Sequence, residues 1–344
     1  MKTALFPFFL FLCWTFSFAQ TETATKSAVH PVFDSEETLK ITLKGDLKAL
    51  LKDKLEDRSY HKFTITYTDG EQSGEVPVRV KIRGNFRREM CKLAPFRLNF
   101  DSAGVAGSIF EGLNKVKMVL PCYMKSDKYA QFLAKEYLSY KGYNLITDSS
   151  FKVRLMETTF IDESGKYEEF TETTFLIEPV KLLAKRMGGK EIEIERVHPN
   201  SCNIKMATKM SVYQYLIGNT DWSIPALHNI KMIKEGPGNS PVAVPYDFDF
   251  TGLVGAPYAV PNPRLEMSSV KERKYRGYCQ SEMMTMLVLD KFKETKAPML
   301  ALYADSPLLD KKTNIRAVKY LADFYRTLEN EKSSKRVFLK TCRN

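Results

Sequence analysis

Alternation of apolar and polar positions dominates the first half of the chain. Residues 39–43 read as a strand, and Asp46 stands where it can cap a short helix over 47–55. Residues 63–67 alternate again and end at Asp69-Gly70, a turn signal. In the next strand Val78, Val80 and Ile82 fall on one face and Arg79 and Lys81 on the other, until Arg83-Gly84-Asn85 breaks the pattern. Residues 96–100 and 116–120 predict two further short strands. The period then changes. Tyr129, Phe132, Leu133, Glu136, Tyr137 and Tyr140 recur at helical spacing up to Gly142, which predicts one long helix over 128–141. Residues 151–160 and 171–177 return to strand, joined by a turn at 162–165.

Beyond Gly188-Gly189 the pattern is mainly helical. Residues 206–217 predict a helix that stops at Gly218-Asn219, and 282–291 and 316–328 predict two more. Between them, 230–233 and 242–245 suit a hairpin around Gly236-Pro237-Gly238-Asn239, and the Pro- and Gly-rich stretch 252–263 suits an irregular loop. No internal repeat or low-complexity segment interrupts this order. It predicts an α+β chain: an N-terminal antiparallel sheet lobe carrying one long helix, about 34–178, and a mainly helical C-terminal lobe, about 190–344, with a seam near 178–189.

The start of the chain changes the picture of where it works. Lys2, an apolar run over 4–18 and the small residues at Ser17 and Ala19 make 1–19 a signal peptide, shorter than the ~20 apolar residues of a membrane span. A polar spacer follows, over 20–33, and no later segment is apolar enough to span a bilayer. The expected location is therefore secreted or periplasmic. Without Lys2 the net charge falls from +11 to +10. Lys and Arg are mixed with Asp and Glu without runs of like charge, so the surplus reads as a solvated basic surface and not as a DNA or RNA footprint. Cys91, Cys122, Cys202, Cys279 and Cys342 remain after processing; export permits disulfides, and an odd count leaves one cysteine over. Cys91 and Cys122 flank central strands and are expected to bridge. No CxxC or HExxH pattern suggests zinc.

The segment richest in chemistry is 218–252. Asp221 follows a helix, Asn229 opens a strand, and Asp247 and Asp249 stand two apart in what reads as an extended segment. Alternation would put these two carboxylates on one face, roughly 6–7 Å apart. Phe248 and Phe250 would then face the core. Two carboxylates and an amide are the hard oxygen ligands Mg²⁺ takes, and Asp221 is free to accept a proton from an attacking hydroxyl.

A catalytic Asp, an Asn opening a strand, a hairpin and then a metal-binding Asp is the protein-kinase order. With 78–100 (VRVKIRGNFRREMCKLAPFRLNF), 150–155 (SFKVRL), 175–178 (FLIE), His228-Asn229 and 245–250 (PYDFDF), the chain resembles the CotH family, secreted or spore-associated proteins with a divergent kinase-like fold. The resemblance implies a two-lobed protein-kinase-like fold over 34–344, with ATP and Mg²⁺ as ligands and a protein as phosphate acceptor. It implies Asp221 as the catalytic residue, Asn229, Asp247 and Asp249 as metal ligands, and Lys117 as a phosphate-binding residue held by Glu136. Arg83, Arg87 or Arg88 would bind phosphate where kinases place a glycine-rich loop. The chain departs from the kinase pattern: Asn229 lies eight residues beyond Asp221, where the usual motif has five, and no His-Arg precedes Asp221. ATP is also scarce outside the cytoplasm. The alternative is a catalytically weak binding or structural module of the cell envelope. A glycosidase is disfavoured, because its two acids should face each other across a cleft.

Overall fold

The computed structural model describes residues 28–344, so the expected signal peptide and the first part of the spacer lie outside the described residues. The spacer ends earlier than expected. Pro31–Asp34 forms a helical turn (α1) whose Val32 and Phe33 are buried. The buried guanidinium of Arg154 holds this turn, donating to the Val32 carbonyl at 3.2 Å and pairing with Asp69.

Seven strands follow in the first half: β1 Leu39–Gly45, β2 His61–Asp69, β3 Gln72–Ile82, β4 Phe96–Asn99, β5 Lys115–Val119, β6 Val153–Asp162 and β7 Phe170–Ile177. The short helix α2, Leu47–Lys52, is capped by Asp46, which accepts from the Ala49 N–H at 2.8 Å. A second short helix, α3 Phe86–Met90, follows the Arg83-Gly84-Asn85 turn. The strands close into a barrel in the order β1-β2-β3-β4-β5-β7-β6. All its pairings are antiparallel except β1 with β6, which run parallel from Leu39 opposite Met156 to Gly45 opposite Asp162. Inward positions at every second residue fill the barrel: Ile41 and Leu43, Phe63 and Ile65, Val78 and Val80, Phe96 and Leu98, Val116 and Met118.

This closure overturns the expected two-lobed, protein-kinase-like fold with an N-terminal antiparallel sheet lobe and one long helix. Its cause is the β1–β6 pairing, which uses both free edges of the seven-stranded sheet. The long helix is present as α4, Asp127–Ile146, but it is no accessory of an N-terminal lobe. It lies outside the barrel in a second core that joins Val153, Leu155, Phe175 and Ile177 of β6 and β7 to the C-terminal helices. The helix also runs past Gly142, its expected end. A Cβ there would stand 2.8 Å from the Tyr213 hydroxyl and 3.1 Å from Met299 Sδ, so this glycine allows close helix approach instead of capping.

The expected seam is itself structured. Val180–Arg186 is a helix (α5), and Glu178 is fixed by Arg186 through bonds of 3.1 and 2.9 Å. A small sheet β10-β9-β8 follows, from β8 Gly189–Ile192, β9 Ile230–Glu235 and β10 Val242–Pro245; the expected hairpin is its β9–β10 part. The remaining helices are α6 Ile204–Ile217, α7 Glu282–Glu294, α8 Lys296–Ala304, α9 Lys311–Glu329 and α10 Glu331–Lys335. Gly218 ends α6 in the left-handed conformation (φ 67°), as its position predicts. Disulfides join Cys91 to Cys122 (Cα–Cα 4.6 Å) and Cys279 to Cys342 (5.0 Å), leaving buried Cys202 free. Among the described residues no helix is long and apolar enough to cross a membrane.

Candidate active site

A cleft of about 1170 Å³ opens between the barrel wall and the small sheet. Arg83, Gly84, Lys117, Asp221, His228, Asn229, Asp247 and Asp249 all line it, so the segments expected to meet do meet. They arrive from the end of β3, from β5, from the loop after α6 and from the segment after β10.

The loop after α6 is cross-linked around Asp221. His228 Nε2 bonds Asp221 Oδ1 at 2.8 Å, and Asn229 Nδ2 donates to Asp221 Oδ2 at 3.0 Å and to its carbonyl at 2.9 Å. The bond from Asp221 raises the pKa of His228 above the ordinary imidazole value. Arg276 holds the same loop from behind, donating to the carbonyls of Thr220 and Trp222. With its N–H₂ group spent on Asp221, Asn229 has its carbonyl oxygen left for another partner.

Asp247 and Asp249 are not on one strand. The strand β10 stops at Pro245, and Asp247 has φ 66°, so alternation does not govern the carboxylates. Phe248 is fully buried as expected, but Phe250 turns toward the cleft and packs on Phe86 (5.2 Å) and Tyr258 (5.7 Å). The backbone N–H of Asp247 donates to the Tyr140 hydroxyl at 2.8 Å, which fixes this turn against α4. Among the described residues the Asp247 carboxylate has no hydrogen bond or ion pair of its own. Asp249 is buried and accepts from the Tyr258 hydroxyl at 3.2 Å. Burial, then the charge of Asp247, pushes Asp249 up to about 7 against the pull of Arg87. Leu227 (φ 48°), Asn229 (φ 52°) and Asp247 all hold left-handed backbone. Such residues are uncommon outside glycine, and their clustering marks a place where the surroundings over-determine the chain.

The expected Lys117–Glu136 pair does not form. Glu136 is buried and accepts from Arg87 at 3.3 Å, and Arg87 also donates to the Leu120 carbonyl and lies 3.9 Å from Asp249. Burial raises the pKa of Glu136 despite Arg87. Arg87 is thus committed inside the protein, and Arg88 bonds Glu89 at 3.1 Å. Among the described residues, Arg83 is the one of the three candidate arginines whose side chain has no hydrogen bond or ion pair. Lys117 instead stands 4.0 Å from the Tyr246 ring centroid. Burial and then Arg83 bring it down to about 7, while Asp247 pulls the other way. The chain matches no protein-family model and no curated protein. The resemblance to the CotH family therefore rests on the quoted residues alone.

Sequence reasoning missed the roles of Arg87 and Tyr140, whereas His228 supports Asp221 as a neighbour and not as a base, as its sequence position suggested. A signal for Arg87 was available. Glu136 sits on the apolar stripe of α4 beside Leu133, Tyr137 and Tyr140, and a buried carboxylate needs a cation or donor of its own.

Proposed function

We propose that this cleft carries out Mg²⁺-dependent transfer of the terminal phosphate of a nucleoside triphosphate, such as ATP, to a hydroxyl of a protein substrate. The observation that carries the reading is the gathering in one cleft of Asp221, Asn229, Asp247 and Asp249 opposite Lys117 and Arg83. The donors fit Mg²⁺. Among the described residues no three His, Cys, Asp or Glu side chains form a metal cage, but Mg²⁺ usually takes one or two carboxylates and completes its shell with water and phosphate oxygens. Asp247, Asp249 and the Asn229 carbonyl oxygen would hold it, and when bound it neutralises charge on the β- and γ-phosphates.

The chain's own groups do the rest. Lys117 and Arg83 hold phosphate oxygens on the opposite wall. Asp221, oriented by His228 and Asn229, takes the proton of the attacking hydroxyl. A bond forms between that oxygen and the γ-phosphorus, the bond to the bridging oxygen breaks, and the nucleoside diphosphate leaves. Export of the protein and a secreted or periplasmic location belong to the same proposal; two disulfides support it.

A second reading, a catalytically weak binding or structural module of the envelope, draws on one observation: Lys117 lacks the carboxylate partner expected for it. Labelled γ-phosphate transfer separates the two. The first reading expects transfer by the parent chain, nucleotide binding without transfer by Asp221→Ala, and neither by Asp247→Ala. Identical behaviour of all three proteins would leave the second reading standing.

A further inference from the structure

The outer face of β2 to β5 carries six cations arranged by register and not by pairing with acids. Cross-strand register arranges them in two rows. Lys81 lies opposite Arg97, and Arg97 opposite Lys117. In the adjoining row Lys62 lies opposite Arg79, and Asn99 separates Arg79 from Lys115. Directly paired residues point to one side of a sheet. Their neighbours Val80, Ile82, Phe96, Leu98, Val116 and Met118 fill the barrel, so the cations face outward. Among the described residues none of the six makes an ion pair. The nearby rim carboxylate, Asp53, already bonds His61 at 3.1 Å and the Ser59 N–H at 2.8 Å.

Like charges directly opposite each other weaken a sheet. An ordinary solvated face disperses them among acids. The first row does the reverse: Lys81, Arg97 and Lys117 are half-buried and line the cleft. At ~4.8 Å per strand the row spans ~10 Å, from Lys117 at the phosphate end outward to Lys81. That length matches about three residues of an extended peptide. The aromatic rings along the row are already covered, Tyr60 by Lys81 at 4.6 Å and Tyr246 by Lys117 at 4.0 Å. A cation thus occupies a face of each of these two rings, the face that base stacking in single-stranded nucleic acid binding would use.

We infer that Lys81 and Arg97, which continue the row outward from the phosphate-binding Lys117, bind an acidic segment of the protein acceptor and so deliver a neighbouring hydroxyl to Asp221. The inference rests on the phosphoryl-transfer reading and adds the class of substrate: a serine, threonine or tyrosine flanked by Asp or Glu.

The test uses the chain from residue 20 onward and a fluorescein-labelled peptide of glutamates around one serine, followed by anisotropy. The parent chain should bind it, more weakly as salt rises. The double variant Lys81→Glu/Arg97→Glu should lose at least about tenfold in peptide affinity, in keeping with the loss of charge-assisted bonds, and keep its Mg²⁺–ATP affinity within about twofold. A charge-matched control outside the cleft, Lys311→Glu/Lys312→Glu, should behave as the parent. Absence of peptide binding by the parent, or unchanged binding by the double variant, would overturn the inference. So would an equal loss of Mg²⁺–ATP binding, which would assign the row to the nucleotide's phosphates. Tighter binding of a single-stranded oligonucleotide or a sulfated glycan than of the peptide would overturn it as well. Peptide binding by a parent chain that binds no Mg²⁺–ATP would sink the phosphoryl-transfer reading and leave an acidic-peptide site.

Discussion

Replacing Asp249 by Asn should stabilise the protein and disable the site. Asp249 is buried, and its pKa stands near 7 against 3.8 in an open chain. Above pH 7 the folded state must keep an ionised carboxylate in this environment, whereas the unfolded chain ionises it freely. Each pKa unit corresponds to about 1.4 kcal/mol, so the difference costs the folded state about 4 kcal/mol at pH 8 without a divalent cation. The sign follows from the raised folded value. Between about 4 and 7 the folded form binds more protons than the unfolded form, so this carboxylate erodes stability as pH rises through that window. Below pH 4 it has no effect, and above 7 the loss is complete. Asn keeps the shape and can still accept from Tyr258, but carries no charge. Urea unfolding from pH 4 to 8 in chelator should therefore show a variant that gains on the parent by up to about 4 kcal/mol as pH rises. Mg²⁺–nucleotide affinity should fall in the same variant. Equal pH slopes for the two proteins, or a variant less stable at pH 8, would refute the assignment of Asp249 as a buried, strained carboxylate.

Other outcomes follow from the same contacts. Arg87→Met leaves Glu136 and Asp249 without their cation and should cost roughly 3–5 kcal/mol in urea unfolding at pH 8; a loss below about 1 kcal/mol would contradict the buried pairing. Replacing Cys91 and Cys122 by Ser should cost roughly 3–4 kcal/mol from the loop they close, and a non-reduced digest should recover 91–122 and 279–342 linked with Cys202 free. Recovery of Cys202 in a bridge would contradict the cysteine assignment. Lys117→Met should weaken Mg²⁺–ATP binding about tenfold or more by removing a charge-assisted bond, while Glu136→Gln, whose carboxylate is bound to Arg87 and not to Lys117, should act mainly on stability; equal effects on binding would restore a direct Lys117–Glu136 partnership.

Local features of the fold were legible because each has a local cause. The alternation over 63–82, the Asp69-Gly70 turn, the Asp46 cap and the helix stop at Gly218 all appear where residue chemistry put them. Closure of the barrel was not legible. It depends on β1 finding β6 across more than a hundred residues, and alternation states that a strand has two faces without stating its partner. The helix α8 escaped notice because Pro298 sits in its first turn, directly after the end of α7, where a proline is tolerated but reads as a stop. In the site, the chain segments that meet were foreseen but their couplings were not. The link between Glu136 and Arg87 depends on a five-residue helix, α3, too short to show a period. The turn at Asp247 reverses the expected alternation because Tyr140, from a helix a hundred residues earlier, holds its N–H.

The central claim is that the cleft is built around a Mg²⁺-dependent nucleotide site. Calorimetric titration of ATP into the purified chain, with Mg²⁺ and with chelator, tests it most directly, run in parallel on Asp247→Ala. The account predicts saturable binding by the parent with Mg²⁺, and at least about tenfold weaker binding when the cation or the Asp247 carboxylate is removed. Absence of binding by the parent, or binding indifferent to both Mg²⁺ and Asp247, would contradict it.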